Sequence, residues 1–432
     1  MHKFHIVTLG CPKNEADMDV LRGIFESNGY KYSQDPVKSD YIIIDTCGFI
    51  DSAKAESIDT FFEYLELKKD NRNLKVIAIG CLVQRYFDDF IKDLVELDGL
   101  IGVVPPQEVF RVIDSGEYYL KPDTPMDVYS CTSRYVPKTA YAYIKIGDGC
   151  SRRCNFCSIP NFKGEPMSRE IEDICHEAEF LIKSGKKELI LVSQDNTLYG
   201  VDIYKKQALT ELLKAIDSIS GDFIIRVMYL HPDYLTDEII DCMQSLEKVV
   251  NYFDIPMQHG SDRMLKLMGR AKSTAALEKM IAKIRMKPSV IRTSIIVGFP
   301  GETDEEFQQL KEFLNRNEFD RLGAFAYSEE EGTPAAQMGG KVDEVQKQER
   351  LDELMELQKD ISYDIMKKYV GRKLRVLVEE YEDGVYIGRA FMDAPDIDGS
   401  VFFKSSREIT LGSLVEVIIK ESYEYDLEGE VI

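Results

Sequence analysis

Short β-branched runs alternate with stretches of helical periodicity through the first hundred residues, and this alternation narrows the fold more than any other feature. The order is FHIVTLG, EADMDVLRGIFESNG, YIIIDTC, SAKAESIDTFFEYLELKK, KVIAIGC, VQRYFDDFIKDLVEL and GLIGVV. Strands joined through crossover helices pair in parallel, so residues 1–114 are read as a parallel α/β domain. Residues 115–140 lose the periodicity and collect Pro, Ser and Thr, as a linker does. Six further strand runs follow from Ala142: YAYIKIG, ELILVSQD, IIRVMYLHP, YFDIPMQHG, IRTSIIVGFPGE and LGAFAYS. Helical segments separate them, the pattern of a full or partial β/α barrel over 141–370 that ends in a charged helix. After Gly371 short alternating strands succeed one another without helices, which predicts a small antiparallel β-barrel over 371–432.

Three strands of the first series end on a cysteine: Cys11, Cys47 and Cys81. The intervals of 36 and 34 residues are each about one β/α unit. Open parallel sheets bind ligands at the carboxyl ends of their strands, so three distant thiols can converge on one edge. A buried cysteine also serves as a small hydrophobe, but three strand-end repeats point to a metal or cluster with an open position. A second trio, Cys150, Cys154 and Cys157 in GDGCSRRCNFCSIP, follows the first barrel strand, where barrel enzymes place their chemistry. Zinc would need a fourth ligand that no second CxxC pair supplies, whereas a four-iron cluster on three thiolates keeps one iron for an outside ligand. Nine cysteines, an odd number spread over 432 residues, do not make a disulfide framework. Cys131 in the linker, and Cys175 and Cys242 on apolar helical faces, read as structural thiols.

The CxxxCxxC spacing, with Phe156 before the third cysteine, resembles the radical S-adenosylmethionine superfamily. TLGCPKNEAD, DTCGFI and IGCL are similar to the three N-terminal cysteine signatures of its methylthiotransferases, and GDGCSRRCNFCSIPNFKG to their radical loop. DIPMQHGSDRMLKLMGR and SIIVGFPGETDEEF are similar to later barrel motifs, and the terminal barrel stands where that family carries its TRAM domain. The resemblance covers nearly the whole chain. It implies two 4Fe-4S clusters, a radical cluster on Cys150, Cys154 and Cys157 and an auxiliary, sulfur-carrying one on Cys11, Cys47 and Cys81. It implies S-adenosylmethionine as methyl donor and radical source, the radical taking a hydrogen from an unactivated carbon that a methylthio group then replaces. A low-potential electron donor such as flavodoxin or ferredoxin, and a sulfur source, are implied as partners. No side chain is assigned catalysis beyond the clusters.

Phe156, Ser193, Gln194, Asp195, Gln258 and Gly298 are candidate cofactor contacts. Ser193, Gln194 and Asp195 end the second barrel strand, where the superfamily contacts the methionine amino group, although such residues also cap helices. Gln258 and His259 end the fourth strand and face ribose or substrate, His259 reading equally as a hydrogen-bonded structural histidine. Gly298 in IIVGFPGE has no side chain to hold its backbone away from an adenine. Arg226 and His231 flank an apolar strand core and take no assigned role.

The formal net charge of -22 repels phosphate backbones and favours basic partners. Residues 371–432 alone hold 7 Lys plus Arg against 14 Asp plus Glu, a formal charge of -7. A domain gripping RNA draws its affinity from basic side chains, so tRNA is disfavoured, while a basic ribosomal protein is attracted. GCPKN, SQDNTLYG and DAPDIDG are similar to the RimO branch, which modifies the β-carbon of an aspartate in small-subunit ribosomal protein number twelve, rather than to the MiaB-like branch, which modifies an adenosine of tRNA. The distant alternative is a zinc-stabilised binding module without catalysis, against which six placed cysteines weigh. No run approaches the roughly 18 apolar residues of a membrane span, and the first residues lack a signal-peptide layout, so a cytoplasmic protein is expected.

Overall fold

The computed structural model describes residues 1–131 and 133–432, so the linker segment is described apart from residue 132. The first domain is a parallel sheet of β1 (Lys3–Thr8), β2 (Lys31–Tyr32), β3 (Tyr41–Thr46), β4 (Lys75–Gly80), β5 (Gly99–Ile101) and β6 (Tyr119–Leu120), in the order β2-β1-β3-β4-β5-β6. Its crossover helices are α1 (Pro12–Ser27), α2 (Asp51–Glu66), α3 (Cys81–Asp93) and α4 (Pro106–Ser115). β3 and β4 are almost wholly apolar and lie at the sheet centre with helices on both faces, as strands of a doubly covered sheet must. β6 belongs to residues 115–140, whose later part is pinned rather than free: Asp127, Tyr129 and Arg134 are buried.

The central domain pairs β7 (Tyr141–Lys145), β10 (Glu188–Val192) and β11 (Ile224–Val227) in parallel, and likewise β12 (Tyr252–Asp254), β13 (Val290–Val297) and β14 (Arg321–Ala326). A single parallel bridge, Ile225 to Val249, joins the two triplets into a six-stranded partial barrel. All six runs seen in the sequence are strands. The short strands β8 (Gly147–Asp148) and β9 (Met167–Ser168) pair with each other beside the first barrel strand. Helix α1 packs along β7 at the barrel's open side.

β15 (Lys373–Glu382), β16 (Val385–Arg389), β17 (Val401–Lys404), β18 (Leu414–Ser422) and β19 (Leu427–Val431) close into a barrel in the order β15-β16-β17-β19-β18. It is not antiparallel throughout as expected, because β17 and β19 pair in parallel. Parity requires this: five strands cannot close a ring with every neighbour reversed.

The segment after β16 plugs the base of the central barrel. Arg321 pairs with Asp393 at 2.5 Å, Arg292 with Asp398 at 3.5 Å, and Tyr252 donates to Asp398 at 2.5 Å. Arg226 pairs with Glu188 at 2.6 Å and donates to the Phe391 carbonyl at 3.0 Å, while Arg389 reaches the other oxygen of Glu188 at 2.7 Å. The partial barrel's polar base is thus satisfied by a neighbouring domain, since buried charges survive only when paired. Arg226, unassigned from sequence, is a structural residue of this junction. Arg321→Ala, which strands Asp393 in the interior, is expected to cost about 3–5 kcal/mol, read as a fall in the denaturation midpoint. An unchanged midpoint would show that the plug contributes little.

Candidate cluster and cofactor site

Cys11, Cys47 and Cys81 come together at one edge of the first sheet. β1, β3 and β4 are adjacent, with Thr8 opposite Asp45 and Thr46 opposite Gly80, so each chain leaves its strand at the same level. Cys11 precedes helix α1 and Cys81 opens α3, so two helix N-termini point at this edge and favour negative charge there. Glycines let the loops close: a Cβ on Gly10, where φ is +99°, would stand 2.9 Å from Cβ of Cys47. One on Gly80 would meet the Asp45 carboxylate at 2.6 Å, and one on Gly48 would meet Cα of Leu82 at 3.0 Å.

Cys150, Cys154 and Cys157 lie on the loop between β8 and the helix Ile159–Lys163. The loop is curled by Cys157 N–H donating to the Cys154 carbonyl at 3.0 Å, and braced from outside by Asn155, which donates to the carbonyls of Met268 and Leu267. All nine cysteines are free. Burial pushes the thiols of Cys47 and Cys81 up, that of Cys150 to about 11 and that of Cys157 to about 12. Iron must displace those protons, so cluster assembly is favoured by raised pH. The two trios face one another across Arg85. Its guanidinium donates to the Gly48 carbonyl at 3.0 Å, one residue beyond Cys47, and to the Ser158 hydroxyl at 3.4 Å, one residue beyond Cys157. Glu330 anchors it at 2.8 Å.

Beside Cys150 a small open depression is lined by Gly147–Cys150, Pro166–Ser168, Ser193, Asp195, Leu198 and Tyr199. Ser193 and Asp195 therefore border the second trio, but both also hold structure. Ser193 donates to Asn196 at 2.6 Å, and Asp195 accepts from the Thr197 N–H at 3.0 Å and pairs with Arg152 at 3.3 Å. Gln194 is half-buried on the same turn. Gln258 is 7% exposed, holds a left-handed φ of +73°, and its Oε1 is buried without a partner. A left-handed residue with an unpartnered oxygen beyond a strand's carboxyl end fits a polar contact to a ligand. Phe156 packs on the cluster of Met264, Met268, Phe299 and Tyr327, with the Arg270 guanidinium 5.7 Å from its ring. The open face of Gly298, where φ is +70°, is filled by Lys347, whose Cγ stands 2.3 Å from where a Cβ would be.

His259 is structural. Fully buried, it accepts from the Ser261 N–H at 3.0 Å and meets Glu302 at 3.2 Å, which Arg350 holds at 2.7 Å. His231 accepts from Asp233 N–H and contacts Arg270, and burial with the charges of Arg270 and Arg152 brings its pKa to about 2, so it stays neutral. Cys242 is buried and Cys175 packs on the barrel core, as expected of structural thiols; Cys131 is half-buried against the Asp173 side chain.

A buried charge cluster underlies both trios. Lys145 pairs with Asp17 at 2.6 Å and Asp127 at 2.9 Å; Lys163 pairs with Asp127 at 3.0 Å and Asp148 at 2.6 Å. Burial raises Asp148, but Lys163 and Lys145 outweigh it and hold its carboxyl below the usual range. Burial, and then the charge of Asp17, push the Asp45 carboxyl well above the usual range, and burial with the charge of Asp127 brings Asp17 from 3.8 to about 7. Because its folded pKa is raised, Asp17 contributes stability that is full below pH 3.8 and lost as pH rises through about 7. Asp17→Asn is therefore expected to flatten the fall in melting temperature between about pH 4 and about pH 7; melting curves across that window check it, and an unchanged slope would contradict it.

Sequence reasoning missed this cluster together with Lys13, Arg85 and Tyr229. A signal existed: Lys145 interrupts an apolar strand in YAYIKIG, and Asp45 follows the apolar run of YIIIDT, both where burial demands a partner.

Comparison with known proteins agrees with this geometry. Residues 144–314 match the model of the radical SAM superfamily, residues 3–102 that of uncharacterized protein family UPF0004, and residues 370–432 that of the TRAM domain. The ribosomal protein uS12 methylthiotransferase RimO of Petrotoga mobilis is 55% identical over 100% of both chains. The protein of the same name from Thermotoga maritima is 50% identical over 99% of each. Among solved structures, the radical S-adenosylmethionine methyltransferase TsrM from Kitasatospora setae superposes with a TM-score of 0.57 at 13% identity, covering 89% of this chain and 80% of its own, a likeness of fold alone. With identity at this level over its whole length, the chain belongs to the RimO family of radical SAM methylthiotransferases.

Proposed function

We propose that the protein inserts a methylthio group at the β-carbon of an aspartate in ribosomal protein uS12. Relatives at 50% identity and above carry the name of that activity over their full length. Within the molecule, the observation that carries the reading is the pair of cysteine trios meeting at Arg85. Cys150, Cys154 and Cys157 hold one 4Fe-4S cluster, and Cys11, Cys47 and Cys81 a second. When bound, the clusters and S-adenosylmethionine supply the electron, the organic radical and the sulfur. Ser193, Gln194, Asp195, Gln258 and Phe156 would border the S-adenosylmethionine, whereas Lys347 occupies the open face of Gly298 and leaves only its backbone for such a contact.

The chain's own residues position and shield this chemistry. Arg85 fixes the loop after Cys47 against the loop after Cys157, so that neither trio drifts from the other. Helix α1 covers the barrel's open side and limits water at the junction. The functional units run 1–114, 141–370 and 371–432, joined by 115–140. Asp393 and Asp398 are spent inside the barrel base, yet the terminal barrel keeps an acidic exterior suited to a basic ribosomal protein. A flavodoxin- or ferredoxin-like donor and a sulfur source complete the system. Anaerobic reconstitution with iron and sulfide, followed by iron counting, tests the two-cluster reading: about eight irons per chain support it, and about four overturn it.

A further inference from the structure

Beside Cys11, one buried lysine stands apart from the other buried cations of the protein. Among the described residues, eleven lysines and arginines are buried. Ten meet a carboxylate or a backbone carbonyl, as Lys145, Lys163 and Arg321 do with aspartates and Lys186 does with carbonyls. Lys13, 7% exposed, makes no ion pair or hydrogen bond; its ammonium stands 4.9 Å from the centre of the Tyr229 ring. A cation over an aromatic face keeps its N–H donors free.

The surroundings are built around it. Tyr229 holds a left-handed φ of +57° at the carboxyl end of β11, and its N–H is tied to Asp254 at 2.9 Å, so the ring is presented by a constrained backbone. Lys13 is the second residue of the 16-residue helix α1, whose N-terminal dipole adds to its charge. Carried on α1 two residues after Cys11 and lying over a ring that follows β11, it reaches from the edge of the first sheet to the barrel. An ammonium with free donors there can receive an anion that arrives with the substrate.

We propose that Lys13 binds the side-chain carboxylate of the substrate residue and thereby selects an aspartate. This rests on the reading above that an aspartate of a protein is modified. The β-carbon is bonded directly to that carboxylate carbon, so a clamp on the carboxylate fixes the reacting atom one bond away. The ammonium also offsets the repulsion between an incoming carboxylate and the thiolate-rich edge.

The test compares peptides of the uS12 target loop carrying Asp or Asn at the modified position, on anaerobically reconstituted wild type, Lys13→Met and Lys13→Arg. Binding by calorimetry and kcat/KM are taken as Asp-to-Asn ratios within each variant, so a loss of cluster scales both peptides alike. Wild type should favour Asp by about 10- to 100-fold, Lys13→Met should bring the ratio close to one, and Lys13→Arg should retain part of it. A wild-type ratio near one, or a full ratio in Lys13→Met, overturns the assignment. If Lys13→Met does not fold, the wild-type ratio and Lys13→Arg decide. A wild type that cleaves S-adenosylmethionine but modifies neither peptide would instead refute the substrate reading, so the two failures are distinct.

Discussion

Cys154→Ala is expected to abolish deoxyadenosine formation, a loss of at least about a thousandfold, because two thiolates cannot hold the barrel cluster. The variant should still fold. Cys154 is half-buried on a loop whose Asn155 stays tied to the carbonyls of Met268 and Leu267, and none of the core packing passes through its thiol. Iron content should fall from about eight to about four per chain, leaving the first-domain cluster. Liquid chromatography of the dithionite-reduced protein with S-adenosylmethionine measures the first effect, and persistent cleavage would contradict the placement of the radical cluster on this loop.

The converse variant separates the two trios. Replacing Cys11, Cys47 and Cys81 together by Ala should leave deoxyadenosine formation within about threefold of wild type, since the contacts of Asn155 and Arg85 that hold the second loop involve none of these thiols, while methylthiolated product disappears. The chain tolerates the change because small residues fit the strand ends where Gly10, Gly48 and Gly80 already permit close approach. Loss of both clusters in this variant would show instead that the domains assemble their iron cooperatively.

Strand-end cysteines were legible because sheet topology converts a regular interval in sequence into proximity in space. Each interval is one β/α unit, and β1, β3 and β4 are neighbours, so the three thiols had to meet. The six barrel strands were legible for the same reason of regular alternation. Asp195 was half-read: the sequence suggested cofactor contact or a cap, and it both borders the depression and accepts from the Thr197 N–H. His259 resolved to a structural role only through Glu302 and Arg350, partners 43 and 91 residues away that no local pattern announces. The same holds for DAPDIDG, read as a branch signature. Its Asp393 and Asp398 are counter-ions for Arg321 and Arg292 at the barrel base. Tertiary pairing of charge is invisible to periodicity, and the parallel β17–β19 pair follows from closing an odd number of strands rather than from any residue.

The central claim is that the substrate is a protein aspartate. The most direct measurement offers the reconstituted enzyme ribosomal protein uS12 and unmodified tRNA together, with S-adenosylmethionine and a reductant, and analyses both by mass spectrometry. One methylthio group is expected to replace one hydrogen on an aspartate of uS12, with the tRNA unchanged. Methylthiolated adenosine in the tRNA beside unmodified uS12 would contradict it.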